Sequence, residues 1–273
     1  MKAAPFHYAR AASLHAALDA LAAGPEALVI SGGQSLAPLL NLRMTLCDTI
    51  VDIGGLTELQ ACWQTDHATL IGAGVTHAMI EDGLTPDPAH GMLRRAAGKI
   101  AYRAVRCQGT IGGSLAMADP AADWPCILLA LGATAILRSA LGERRVALDD
   151  LLVGVYETSL RPGEIIQALE IPNLPPQARA ACAKISRKTG AFANSMVAVV
   201  LNGESSRAVL GAAGPRATIL PHVSAALASG SPLDQITGLV TRDVADILSE
   251  PDPYLQSLHE TNVRRALLEV FAP

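Results

Sequence analysis

Apolar residues along this chain follow two rhythms. After Ser13, the residues Leu14, Ala17, Leu18 and Leu21 share one face of the stretch "LHAALDALAA". That spacing predicts an amphipathic helix with Ser13 as N-cap and Gly24-Pro25 as its stop. The run "ALVI" (27–30) reads as a short buried strand; a glycine loop, a short helix from Leu36 to Leu42 and the strand "TIVDIGG" follow. Strand, loop, helix, strand is an α/β opening. "ATLIGAGVTHAMIED" gives another strand, a glycine turn and a helix start. "DGLTPDPAHG" is a loop by its Pro and Gly.

Further along, "MLRRAAGKIAY" reads as helix, "WPCILLALGATAILRS" as helix then strand, and "PGEIIQALEIP" as a strand ending at Pro172. The prolines of "PNLPPQARA" mark the best domain boundary. Beyond it, "AKISRKTGAFANSMVAVVLNG" and "AVLGAAGPRATIL" suggest strands. In "PYLQSLHETNVRRALLEVF" the residues Leu255, Leu258, Asn262, Ala266 and Val270 fall near one helical face.

Composition narrows the function classes. With 273 residues, half of them hydrophobic and 17% charged, the chain fills two modest domains or one large one and is not a disordered segment. A net charge of −4, with no basic run interleaved with aromatics, argues against nucleic acid as a partner. The longest apolar segment, "ILLALGATAIL", is too short for a bilayer span, and the N-terminus lacks the apolar core of a secretory signal. The five cysteines (47, 62, 107, 126, 182) form no C-x-x-C, and the seven histidines no H-x-x-x-H. The cysteines read as small buried hydrophobes in a reducing cytosol, not as a disulfide framework, cluster or zinc site, and the histidines give a metal site little support.

The candidate chemistry lies in two glycine corners. "SGGQSL" holds Ser31, Gly32, Gly33, Gln34, Ser35 and Leu36; "GTIGGSLAMADPAADWP" (109–125) repeats Gly-Gly-Ser before an apolar stretch. Paired glycines let backbone amides converge on phosphate oxygens, and a following helix adds its positive end. Two such corners about eighty residues apart suit one elongated ligand carrying a pyrophosphate. Each corner taken singly reads equally well as a structural turn. Neither G-x-x-x-x-G-K-[ST] nor G-x-G-x-x-G is present: "GAGVTH" ends in His77.

The stretches "SGGQSLAPLLNLRM…TIVDIGGL" and "GTIGGSLAMADPAADWPCILLAL" resemble the two FAD-binding motifs of the medium, flavin-carrying subunit of the molybdenum hydroxylases, the carbon monoxide and xanthine dehydrogenase type. "PGEIIQALEIP", "KISRKTGAFA" and "GAAGPR" fall in that family's order. The resemblance implies an α+β fold: a two-lobed FAD-binding domain of the PCMH (vanillyl-alcohol-oxidase-like) type at 1–173, with lobes at about 1–54 and 55–173, then a small α+β domain at 177–273. It implies FAD in this chain, with iron–sulfur clusters and molybdopterin on a small and a large partner subunit, in a cytoplasmic dimer of heterotrimers. Single electrons would reach the flavin from iron–sulfur centres and leave to an external acceptor.

Carried over residue by residue, Ser31, Gly32, Gly33, Gln34 and Ser35 would wrap the pyrophosphate by backbone amides, with Leu36 opening the helix. Thr110, Ile111, Gly112, Gly113 and Ser114 would form the second clasp. Asp123 and Lys184 would reach the cofactor, and Ile166 would line the flavin. Each carries a plainer alternative. Asp123 suits an N-cap before Trp124-Pro125, Asp119 another before Pro120, Lys184 a solvated edge charge, Ile166 ordinary core, and Ser186-Arg187-Lys188 a polar turn. The chain departs from the family pattern at Met117, where His is common, and at Ala191, where the family carries a carboxylate. Two other functions compete. One is a stand-alone FAD oxidoreductase, for which His77 or Tyr102 would have to supply a base. The other is a scaffold subunit with weak cofactor binding.

Overall fold

The computed structural model describes every residue except Met1, Pro25, Ser249, Pro251 and Pro273. The Pro25 half of the Gly24-Pro25 helix stop therefore lies outside the described residues.

The N-terminal segment contains β1 (His7–Arg10), α1 (Leu14–Ala23), β2 (Ala27–Ile30), α2 (Leu36–Leu42) and β3 (Thr49–Asp52). The three strands form a parallel sheet in the order β1-β3-β2. Ser13 caps α1 by accepting from the Ala16 amide at 3.1 Å. Ala17, Leu18 and Leu21 then pack with Val51 and Ile53. "ALVI" is a strand, but only half-buried along its length. The reason is its place at the sheet edge: the central strand β3 takes the fully buried positions Ile50 and Val51.

The middle of the chain opens with a short 3-10 turn, Thr57–Gln60. It then runs through β4 (Cys62–Gln64), β5 (Ala68–Gly72), α3 (His77–Glu81), α4 (Met92–Ala97), α5 (Arg103–Arg106), α6 (Ile111–Met117), α7 (Asp123–Ala130), β6 (Thr134–Ser139), β7 (Gly142–Ala147), α8 (Leu148–Leu151), β8 (Leu152–Gly154), β9 (Glu157–Thr158) and β10 (Ile165–Pro172). An antiparallel sheet runs β4-β5-β10-β6-β7. The helix expected over "MLRRAAGKIAY" stops at Ala97 because Gly98 ends it. Helix α7 is buried on every side, which is why "WPCILLA" is apolar without period.

The last part holds β11 (Arg179–Ile185), β12 (Ser195–Leu201), β13 (Arg207–Gly211), β14 (Thr218–Ile219), α9 (Pro221–Ala228), α10 (Leu233–Ile247) and α11 (Pro253–Phe271). Its antiparallel sheet, β11-β12-β13-β14, is covered on both faces. Met196, Ala198 and Val200 of β12 face α7 and the main core, while Val197 and Val199 face the cluster built by α9, α10 and α11. Side chains alternate across a strand, so double burial demands the continuous run "SMVAVV". On α11 the buried stripe begins at His259 and Asn262 and continues through Val263, Ala266, Leu267 and Val270. Leu255 is exposed and Leu258 half-buried, because the first turns of the helix run past the end of the sheet-facing contact.

Candidate functional site

The first corner leaves the end of β2. Gly33 has φ +69°, in the left-handed region that favours glycine. Ser35 stands at the N-cap of α2 with its hydroxyl making no capping bond. The Gln34 side chain donates to the Gly32 carbonyl at 3.0 Å. Among the described residues, the amides of Gly32, Gly33, Gln34 and Ser35 have no protein acceptor. They are the donors that a phosphate-binding nest requires.

The second corner differs. Thr110 caps α6, accepting from the Gly113 amide at 3.1 Å. The Ile111 amide donates to Val75, Gly112 to Ala73 and Ser114 to Thr110. Its amides from Ile111 to Ser114 are thus satisfied within the protein. It offers a ligand its side chains and the exposed surface of Gly113. The two corners touch: the Thr110 hydroxyl donates to the Ser31 hydroxyl at 3.2 Å. A Cβ on Gly32 would lie 2.0 Å from the Gln108 carbonyl oxygen, and one on Gly112 would lie 2.4 Å from Ala73 Cβ. Only glycine permits either approach.

Between the corners is a cavity of about 320 Å³. Of the residues singled out in the sequence, Ser31, Gly32 and Thr110 line it. It also takes Arg10, Asp52, Gly54, Gly55, Gln60, Gly74, Thr76, Cys107 and Gln108, which sequence reasoning missed. Two signals were present: "DIGG" after a strand and "GAGVT" after another. Asp52 shapes this third corner. Its Oδ1 accepts from the Gly54 amide at 2.8 Å, and its Oδ2 accepts from the Tyr8 hydroxyl. That bond pushes the Tyr8 phenol above its usual range. Arg10 lies against Gly55, where a Cβ would come within 2.9 Å of its guanidinium.

Asp123, Ile166 and Lys184 do not line this cavity. Asp123 and Lys184 instead meet each other. Lys184 Nζ lies 3.0 Å from Asp123 Oδ2, with both side chains 6% exposed. The capping alternative for Asp123 is corrected: Ala122 is the N-cap of α7, Asp123 is its first helical residue, and the carboxylate faces a buried cation. Lys184 is not a solvated charge: β11 is the edge strand of its sheet, but the side chain is buried against Asp123 of α7. Burial raises the Asp123 carboxyl pKa, and Lys184 opposes that shift. Asp119 holds a turn, accepting from the Ala121 amide at 2.9 Å. Ile166 is buried in the main core, paired with Leu137.

The two residues named as bases for direct substrate oxidation are placed otherwise. His77 is buried; its Nδ1 accepts from Trp124 Nε1 at 3.0 Å, and burial, with Arg106 second, lowers its pKa to about 4. Tyr102 is exposed beneath Lys188, whose Nζ sits 5.7 Å from the ring centroid. One group of metal-type side chains gathers elsewhere, His222, Asp243 and Asp246. Asp243 accepts from His222 Nδ1 at 2.5 Å and from the Val223 amide at 2.9 Å, which makes it a cap for the first turn of α9.

This fold and glycine cradle define a class. Residues 4–174 match the family described as the FAD binding domain in molybdopterin dehydrogenase, and the chain belongs to that family. It is 41% identical over 213 residues to the 6-hydroxypseudooxynicotine dehydrogenase complex subunit alpha of Paenarthrobacter nicotinovorans, covering 76% of this chain and 72% of that one. It is 33% identical over 211 residues to the carbon monoxide dehydrogenase medium chain of Afipia carboxidovorans, covering 77% and 73%. Among solved structures, the carbon monoxide dehydrogenase of Hydrogenophaga pseudoflava lacking the Mo-pyranopterin moiety superposes with a TM-score of 0.92 at 27% identity, covering 99% of both chains.

The α+β FAD-binding fold expected from the sequence is thereby shown, and the chain is a FAD-dependent oxidoreductase subunit of the molybdenum hydroxylase type. Its relatives are subunits of multi-subunit complexes. Among the described residues no helix is long and apolar enough to cross a membrane. The residues present fit FAD. Gly32, Gly54, Gly55 and Gly74 let the segments that form the cradle approach closely, the first-corner amides have no acceptor among the described residues, and Arg10 adds a cation.

Proposed function

We propose that FAD is held across the joined glycine corners and that the chain relays electrons from an iron–sulfur subunit to an external acceptor. The observation that carries this reading is the Thr110–Ser31 contact, which makes two loops 79 residues apart the walls of one cavity. Bound FAD supplies a two-electron store between one-electron donors and a final acceptor.

The chain's own residues bind and orient. The amides of Gly32, Gly33, Gln34 and Ser35, with the start of α2 at Leu36, receive phosphate oxygens, and Arg10 offsets their charge. Thr110 sets the opposite wall, carried by the first turn of α6 at Ile111, Gly112, Gly113 and Ser114. The Asp123–Lys184 pair places a buried charge beside the far end of the second motif, where it tunes the cofactor, and Ile166 backs that region with apolar surface. No residue acts as a proton-abstracting base, which agrees with the buried, neutral His77.

In this reading 1–173 is the FAD-binding unit, with lobes at about 1–54 and 55–173, and 177–273 is a separate α+β unit. The partners are a small iron–sulfur and a large molybdopterin subunit, assembled as a cytoplasmic dimer of heterotrimers. The test is the visible absorption spectrum of the purified chain, with the released cofactor identified after denaturation. Stoichiometric FAD is expected. A colourless chain that takes up no added FAD overturns the reading. FMN alone would mean that only one corner holds phosphate.

A further inference from the structure

Two polar side chains are buried where the pattern of α11 calls for apolar ones, and a third meets them from β12. His259 and Asn262 are each 1% exposed, and Ser195, at the start of β12, is fully buried. Asn262 Nδ2 donates to Ser195 Oγ at 3.1 Å and lies 3.2 Å from the Ala183 carbonyl oxygen. The Ser195 hydrogen is then free for His259 Nδ1, 2.9 Å away. Buried polar groups cost stability unless fully paired, and an apolar trio would pack here at lower cost. Such groups also fix one arrangement among several.

What they fix follows from the register. Ser195 pairs with Ile185, and Lys184 with Met196. Asn262 therefore grips both stems of the β11–β12 hairpin, one residue before Lys184 on one strand and one before Met196 on the other. Met196 faces the main core. Lys184, opposite it, emerges on the same face and meets Asp123. The hairpin's loop is also tied to the second motif: the Ala193 amide donates to the Ala121 carbonyl at 3.3 Å, and Gly190 bridges Ile100.

We propose that Asn262, together with His259 and Ser195, is a positioning residue: it locks the hairpin so that Lys184 is delivered to Asp123 beside the cofactor. This rests on the reading above that the Asp123–Lys184 pair stands next to FAD.

The test uses the full chain. Asn262→Leu keeps the side chain's size and removes both donations. It is expected to weaken FAD binding about tenfold and to move the flavin absorption bands in the same direction as Lys184→Met. Val263→Ala lies on the same helix in the C-terminal core but removes no hydrogen bond to either stem. It is expected to lower the melting temperature while leaving FAD affinity and spectrum at wild type. If Asn262→Leu behaves like Val263→Ala in affinity and spectrum, the proposal is overturned. If Asn262→Leu fails to fold, Ser195→Ala breaks the His259 link and is expected to weaken FAD about threefold; an unchanged affinity again overturns the proposal. A wild-type chain that binds FAD, with Lys184→Met leaving affinity and spectrum untouched, overturns the reading of the pair itself, and the proposal with it.

Discussion

Acidification should unlock the second glycine corner through one histidine. His77 is 6% exposed and follows Thr76, a residue of the cavity wall. Its backbone amide donates to the Gly109 carbonyl at 2.9 Å, and a Cβ on Gly109 would lie 2.9 Å from its Nε2. Because Nδ1 accepts from the Trp124 indole, the ring's hydrogen is on Nε2. Protonating Nδ1 would set one N–H against another in a dry site. The folded pKa is about 4, against 6.5 for an unperturbed histidine. At about 1.4 kcal/mol per pH unit, neutral His77 contributes on the order of 3 kcal/mol to the native state. The unfolded chain takes up the proton first, so the contribution is complete above pH 6.5 and is lost as pH falls from 6.5 toward 4.

His77→Gln removes the titration and keeps an acceptor for Trp124. Urea unfolding of both chains between pH 7.5 and 4.5 should show the wild type losing about 2–3 kcal/mol more than the variant. Histidine ring NMR gives an independent reading: the His77 signal should stay neutral at pH 5.5. Parallel loss of stability in the two chains, or a His77 signal titrating near 6.5, would refute the argument.

Three further outcomes follow from single contacts. Gly32→Ala, with its Cβ 2.0 Å from the Gln108 oxygen, should separate the corners and abolish FAD retention on gel filtration, at a cost of about 3 kcal/mol or more in unfolding free energy. Gly238→Ala, on α10 with nothing within 4 Å of the new Cβ, should instead stabilise the chain by about 0.5–1 kcal/mol in the same assay. Lys184→Met leaves the Asp123 carboxylate buried and alone and should cost about 3–5 kcal/mol, much of which the double change with Asp123→Asn should restore; equal melting temperatures for the single and double variants would refute the pairing.

These contacts explain which parts of the molecule were legible in the sequence. Local signals read well. Ser13 before an apolar stripe is a cap, Leu36–Leu42 is a helix, and the doubly buried β12 announces itself by an unbroken apolar run. Helix α10 has only Ile236, Val240 and Val244 at intervals of four to mark it, and its polar residues outnumber that stripe. The burial of "ALVI" was overestimated because periodicity carries no information on which strand lies at a sheet edge. The corners were recognised as glycine pairs. Their division of labour is not legible there, because whether an amide is free depends on a segment distant in sequence: residues 73–75 occupy the amides of Ile111 and Gly112, and among the described residues nothing occupies those of Gly32 to Ser35.

Asp123 shows the limit most sharply. Its local sequence, an acid before Trp-Pro, favours an N-cap, and local sequence was all that the cap argument could weigh. The carboxylate has a stronger claimant 61 residues away. An ammonium at 3.0 Å in a site closed to water outweighs a capping bond of about 1 kcal/mol, because leaving either charge unpaired there costs several times as much. The helix therefore starts one residue earlier than a cap at Asp123 would set, with Ala122 at the N-cap, and Asp123, its first helical residue, turns inward. A cap missing from a strongly cap-like sequence is thus itself a signal. It says that the side chain is held by a long-range partner, and in this chain that partner is the lysine which the family motif independently singled out.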